Sequence, residues 1–134
     1  GAALGFSYRH SWFAGHPGCL IAGARLALRP GDPAEIAAKM EEYLRARREK
    51  QPLDYPSAGS AFKRPAGAYA AQLIDSCGLK GLRVGDAMVS EKHAGFIVNC
   101  GRATCADVRE LVEQVRAAVQ ARTGYLLECE IKFV

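Results

Sequence analysis

The sequence predicts an α+β fold, a mixed or antiparallel sheet with packed helices. Three observations carry this. Two segments, 33–50 and 105–122, repeat apolar residues at helical spacing behind good capping residues. The closing "YLLECEIKFV" alternates apolar and polar residues as a strand does. Strand-like and helix-like segments follow one another without the regular βαβ order of a doubly wound sheet. A length of 134 residues fits one domain, or one domain and part of another. With 49% hydrophobic and 24% charged residues, the chain can bury a useful core.

Residues 4–13, "LGFSYRHSWF", combine aromatic and small side chains, and 19–29, "CLIAGARLALR", alternate from Leu20 onward. Both read as strands, with "AGHPG" as the turn between them. "GDPAEIAAKMEEYLRARREK" reads as a helix: Asp32 suits the N-cap, Pro33 the first helical position and Glu35 a capping-box spacing. Ile36, Met40, Tyr43 and Leu44 line one face, and the cationic end suits the helix dipole. "QPLDYPSAGS" has two prolines and neither period, so it reads as an ordered connector and a domain boundary. "AYAAQLIDSC" is a short helix stopped by Gly78. "LRVGDAMVS" and "AGFIVNC" read as two strands joined by "EKH". Thr104 caps a long helix whose stripe is Val108, Leu111, Val112, Val115 and Val119, and Gly124 ends it. In the last segment Leu127, Cys129, Ile131 and Phe133 face one way, and Glu128, Glu130 and Lys132 the other.

Composition excludes several classes. No apolar run approaches the roughly 18 residues of a membrane span. The first ten residues lack the charged start and long apolar stretch of a signal peptide, and without an initiator methionine Gly1-Ala2 reads as a cloning scar or as the cut end of a longer protein. Net charge is +4, concentrated in "RARREK" (45–50), which suits a solvated helix end or a phosphate-rich partner. Without interleaved aromatics or a reader motif, no nucleic-acid partner is expected. The five cysteines are odd in number, lack CxxC spacing and lack a histidine pair at zinc-finger spacing. Buried free thiols in a reducing cytoplasm account for them, with no metal.

Four places can carry chemistry. Ser60 follows Ala58-Gly59, so a ligand can approach the backbone closely, and Lys63 and Arg64 can complement a carboxylate or phosphate. The same serine can equally be a turn residue bonding its own backbone. Ser90, Glu91, Lys92 and His93 can orient a polar ligand or simply make a hairpin loop. Glu130 sits on the polar face of the last segment, where a solvated carboxylate is the plain alternative. Arg9 lies among Phe6, Tyr8 and Trp12, which suits a bidentate anion contact or aromatic stacking at a surface. No GxSxG elbow or Ser-His-Asp order points to a hydrolase.

As an ordered set these stretches are more specific. "YPSAGSAFKRP", then "AQLIDSCGLKGLRVGDAMVSEKHAGFIVNCGRATCADV", then "LECEIKFV" resemble the UDP-N-acetylenolpyruvoylglucosamine reductase family, flavoenzymes of bacterial peptidoglycan synthesis. "FSYRHSWF" and the segment from Pro30 to Leu53 resemble the preceding part of the same family, and SEKHAGFIVN resembles its shorter type.

The resemblance implies residues 1–50 as the C-terminal remnant of the FAD-binding region, 51–56 as a connector and 57–134 as the substrate-binding domain. It implies FAD held mainly by an N-terminal domain absent from this sequence, NADPH as reductant and UDP-N-acetylglucosamine enolpyruvate as substrate. Alone, the chain is expected to be inactive, and the loss of that partner leaves self-association open. Ser60 matches the family's proton donor, Glu130 its catalytic glutamate and Arg9 its catalytic arginine. Lys63, Arg64, Tyr8, Ser90 and His93 are the substrate-binding candidates. Two departures stand out. Arg64 occupies a position that is often asparagine, and Lys132 replaces an arginine, keeping charge but losing the fork. A non-catalytic nucleotide-sugar or anion-binding module on the same fold is the alternative.

Overall fold

Four short strands build the sheet of the computed structural model, which describes residues 2–133. They are β1 (Ser57–Ser60), β2 (Arg83–Val84), β3 (Ala87–Val89) and β4 (Phe96–Asn99). All pairings are antiparallel, in the order β1-β4-β3-β2. Three α-helices accompany them: α1 (Pro33–Lys50), α2 (Ala70–Ser76) and α3 (Cys105–Thr123). The chain divides into two compact units, Gly1–Pro33 and Ala34–Val134.

The core of the larger unit forms on α3. Leu111, Val112, Val115 and Val119 recur at helical spacing and are each 1% exposed or less. They pack into one cluster with Ile74 of α2, Val89 of β3 and Leu127. Each such side chain contributes about 1.5–3 kcal/mol on burial. Thr104 Oγ1 accepts from the Asp107 N–H at 3.2 Å, and Asp107 Oδ2 accepts from the Thr104 N–H at 2.7 Å, a reciprocal capping box. Donation from the Thr104 backbone N–H, and less strongly from the Thr104 hydroxyl, holds the Asp107 carboxyl below its ordinary pKa, against a weaker upward push from burial. Gly124, at φ +76°, closes the helix by donating to the Gln120 carbonyl.

Several segments differ from expectation. Residues 4–13 and 19–29 are not strands. The first unit holds short 3₁₀ turns at Ala2–Leu4 and Trp12–Gly15 and a tight Ser7–His10 pair. Leu20 is 90% and Leu28 83% exposed, so the alternation there finds no neighbouring strand to pair with. The stretch read as "LRVGDAMVS" is a hairpin of β2 and β3 turned at Gly85-Asp86, with Gly85 at φ +54°. The connector carries β1, whose small polar residues gave no strand signal. The closing segment alternates in burial but forms only one bridge, Cys129 to Phe62. Of the cysteines, all free, only Cys77 is buried, whereas Cys19 and Cys105 are exposed. Among the described residues no helix is long and apolar enough to cross a membrane, and no cluster suits a metal ion.

Candidate functional site

Ser60 sits at the end of β1, on the sheet edge. Four residues of β1 span three of β4, because Ser57 pairs with Val98 and Ser60 with Phe96. The extra residue makes a bulge, and Gly59 absorbs it at φ +85°. Bulges re-aim the side chain that follows, and here that side chain is Ser60. Its hydroxyl lies 3.4 Å from the Phe62 carbonyl, a long and weak donation.

The backbone just beyond Ser60 is firmly held. The Ala61 N–H donates to the Gly95 carbonyl at 2.8 Å, and the Ala61 carbonyl accepts from the Glu130 N–H at 2.8 Å. Ala61 thus lies between the loop before β4 and the last segment, fully buried. This brings half-buried Glu130 to the neighbour of Ser60. The pairing continues with Lys63 N–H on the Glu128 carbonyl at 2.8 Å.

An open cleft of about 670 Å³ lies against Ser60. Gly59, His93 and Phe96 line it, with Arg47 and Gln51 from the end of α1. Arg47 Nε donates to Gln51 Oε1 at 3.1 Å, which steadies the cationic side chain at the cleft wall. Lys92 ties its loop to the same helix end, donating to the Arg48 carbonyl at 2.6 Å.

The loop from 90 to 95 is built around a buried serine. Ser90, 2% exposed, accepts on Oγ from the N–H groups of Lys92 and His93 at 3.2 and 3.3 Å. Its hydroxyl therefore shapes the turn. His93 presents its ring to the cleft, edge-on to Phe96 with centroids 4.9 Å apart. His93 Nδ1 accepts from the Gly95 N–H at 3.1 Å.

The remaining candidates lie elsewhere. Lys63 forms an ion pair with Glu128. The Arg64 guanidinium stacks 3.9 Å from the centre of the Tyr69 ring. Tyr8 and Arg9 belong to the first unit, at the tip of the turn where Ser7 and His10 exchange two 3.1 Å backbone bonds. Arg9 adopts φ +54°, a left-handed conformation that costs a non-glycine residue about 1–2 kcal/mol. Its guanidinium lies 5.4 Å from the Tyr8 ring centre.

Arg47 and Gln51 at the cleft, and Gly95 behind His93, are residues that the sequence reading missed, whereas it named Gly59 beside Ser60. Gly59 and Gly95 carry a signal, since glycine inside a strand-like stretch marks a bulge or a close approach. Nothing local marks Arg47 and Gln51 apart from the cationic run.

A family model described as UDP-N-acetylenolpyruvoylglucosamine reductase, C-terminal domain, matches residues 51–134. A UDP-N-acetylenolpyruvoylglucosamine reductase 2 from Symbiobacterium thermophilum is 51% identical over 129 residues, 96% of this chain and 42% of its own length. A UDP-N-acetylenolpyruvoylglucosamine reductase from Caldanaerobacter subterraneus subsp. tengcongensis is 50% identical over the same span, with the same coverage. Among solved structures, the UDP-N-acetylenolpyruvylglucosamine reductase of Thermus caldophilus superposes with a TM-score of 0.79 at 46% identity, over 96% of this chain and 45% of that one. The chain thus spans about two fifths of the length of the curated relatives it matches.

Proposed function

Because the chain belongs to the C-terminal domain family of UDP-N-acetylenolpyruvoylglucosamine reductases, we propose that it is the substrate-binding part of a flavoenzyme. The reaction is reduction of UDP-N-acetylglucosamine enolpyruvate to UDP-N-acetylmuramate, in peptidoglycan synthesis. In this reading residues 1–50 end the FAD-binding region, 51–56 connect and 57–134 bind substrate.

The described residues suit one part of a flavin only. Phe96 and His93 offer the cleft an aromatic wall for a flat ring. Neither long helix start suits its pyrophosphate: α1 opens on Asp32-Pro33, and the α3 start is closed by the capping box. The rest of the enzyme would therefore hold FAD, which NADPH reduces and which supplies a hydride when bound.

This chain's residues act on the substrate. With hydride delivered to C3 of the enolpyruvyl double bond, an electron pair develops on C2 and spreads into the carboxylate. Glu130 polarises that carboxylate, a role the family resemblance also gives Arg9. Ser60 gives its hydroxyl proton to C2 and recovers one from water. One hydride and one proton thus saturate the double bond. Arg47, with Lys63 and Arg64, suits the anionic part of the sugar nucleotide.

The observation that carries this reading is Ser60 on a bulged strand end, facing the cleft with only a weak internal bond. In the complete flavoenzyme, Ser60→Ala should lower turnover by about 10²–10³-fold while NADPH still reduces the flavin at the original rate. Unchanged turnover in a stopped-flow assay would remove Ser60 from the reaction.

A further inference from the structure

We propose that His93 donates a hydrogen bond from Nε2 to an anionic oxygen of the bound sugar nucleotide, with Gly95 as the residue that positions it. This rests on the substrate reading above.

A backbone N–H can only donate, so the 3.1 Å contact from Gly95 requires a lone pair on His93 Nδ1. A neutral imidazole with a lone pair on Nδ1 carries its proton on Nε2. The tautomer is thus assigned by the loop's own backbone. Nε2 has no protein partner among the described residues, while the ring lines the cleft. The ring is also fixed in place. Its backbone N–H is held by the buried Ser90 hydroxyl at 3.3 Å, and its edge meets Phe96. The donor is therefore oriented before any ligand arrives, which lowers the ordering cost of binding.

Gly95 connects this donor to Ser60. Its N–H holds the imidazole, and its carbonyl holds the N–H of Ala61, the next residue after Ser60. Any side chain there would press on its neighbours, which would have to give by a few tenths of an ångström. A Cβ would stand 3.1 Å from His93 Cε1, 3.2 Å from Nδ1 and 3.3 Å from the Ala71 Cβ. The Arg47 guanidinium on the same cleft favours an anionic acceptor over a neutral one.

Three measurements on the complete flavoenzyme test the assignment. First, long-range ¹H–¹⁵N NMR, at a pH that keeps imidazoles neutral, should find His93 protonated on Nε2 and bare on Nδ1; the reverse tautomer overturns the proposal. Second, titration with UDP-N-acetylglucosamine enolpyruvate should separate two isosteres. His93→Gln keeps a donor near the Nε2 position and should bind within about threefold of the unmodified enzyme. His93→Asn keeps the acceptor for Gly95 but loses the outer donor, and should bind about 10- to 100-fold more weakly, the range for a bond to a charged acceptor. Equal affinities in the two variants overturn the donor role and leave the substrate reading standing. Failure of the unmodified complete enzyme to bind the sugar nucleotide removes the substrate reading and the donor role with it. Third, Gly95→Ala should turn His93 into a mixture of tautomers, visible in the same ¹⁵N spectrum. A Gly95→Ala variant that keeps the native fold by its backbone amide spectrum and still holds His93 as the pure Nε2–H tautomer would remove Gly95 from its positioning role.

Discussion

At the scale of single residues, backbone conformation sets what the site can do. Gly59 and Arg9 both adopt positive φ, for opposite reasons. At Gly59 nothing lies within 4 Å of an added Cβ, so alanine there would strain only the backbone. We expect Gly59→Ala to cost about 1–2 kcal/mol of stability and to flatten the bulge that aims Ser60. Turnover of the complete enzyme should fall at least tenfold while substrate KM stays near its original value. A variant that melts lower but turns over normally would show that the bulge does not aim the serine. At Arg9 the side chain occupies a conformation glycine would take more cheaply, and the guanidinium is the reason we assign for keeping it. Ser90 shows the converse: a hydroxyl read as a ligand contact is buried and holds its own loop.

At the scale of elements, the contrast is between α3 and α1. α3 is capped at both ends and buries four residues of its stripe, whereas α1 buries none. Removing the cap with Thr104→Ala should cost about 1 kcal/mol, read as a lower midpoint in urea. The cap also has a pH signature. Its bonds depress the Asp107 pKa in the folded state. The stabilisation is therefore complete above the unfolded value of about 4 and is lost as pH falls through the lower folded value. Asp107→Asn should be less stable at neutral pH and should show a shallower loss toward pH 2. An acid limb with the original slope would mean another carboxylate carries it. In the core, Val115→Ala and Leu111→Ala should be far more costly, about 2–5 kcal/mol for the leucine.

At the scale of the molecule, apolar surface is unevenly used. Ile36, Met40, Tyr43 and Leu44 are about half exposed on α1, and Leu20 in the first unit is almost fully exposed. In the reading proposed above, the remainder of the flavoenzyme covers these faces. Amide exchange of the chain alone should therefore protect β4 and α3 most and α1 much less. Adding the flavin-binding portion should slow exchange in α1 selectively. Protection of α1 equal to that of α3 in the isolated chain would show instead that copies of the chain cover the face for one another. Sedimentation velocity over a range of concentrations separates that outcome directly.

The sequence by itself determined α1, α3, their ends and the alternation of the last segment, because capping and apolar periodicity act within a few residues of chain. It also carried the ordered motifs around Ser60, His93 and Glu130, from which the family resemblance followed before any coordinates. Strand identity was another matter. β1 is made of small polar residues and exists because β4 offers it a ladder, while 19–29 has the better pattern and no partner. A strand's hydrogen bonds are closed by a distant segment, so only the tertiary structure decides which patterns become strands. The same distance effect placed Gly95 between His93 and Ser60, and Arg47 at the cleft, joining residues that no local rule connects.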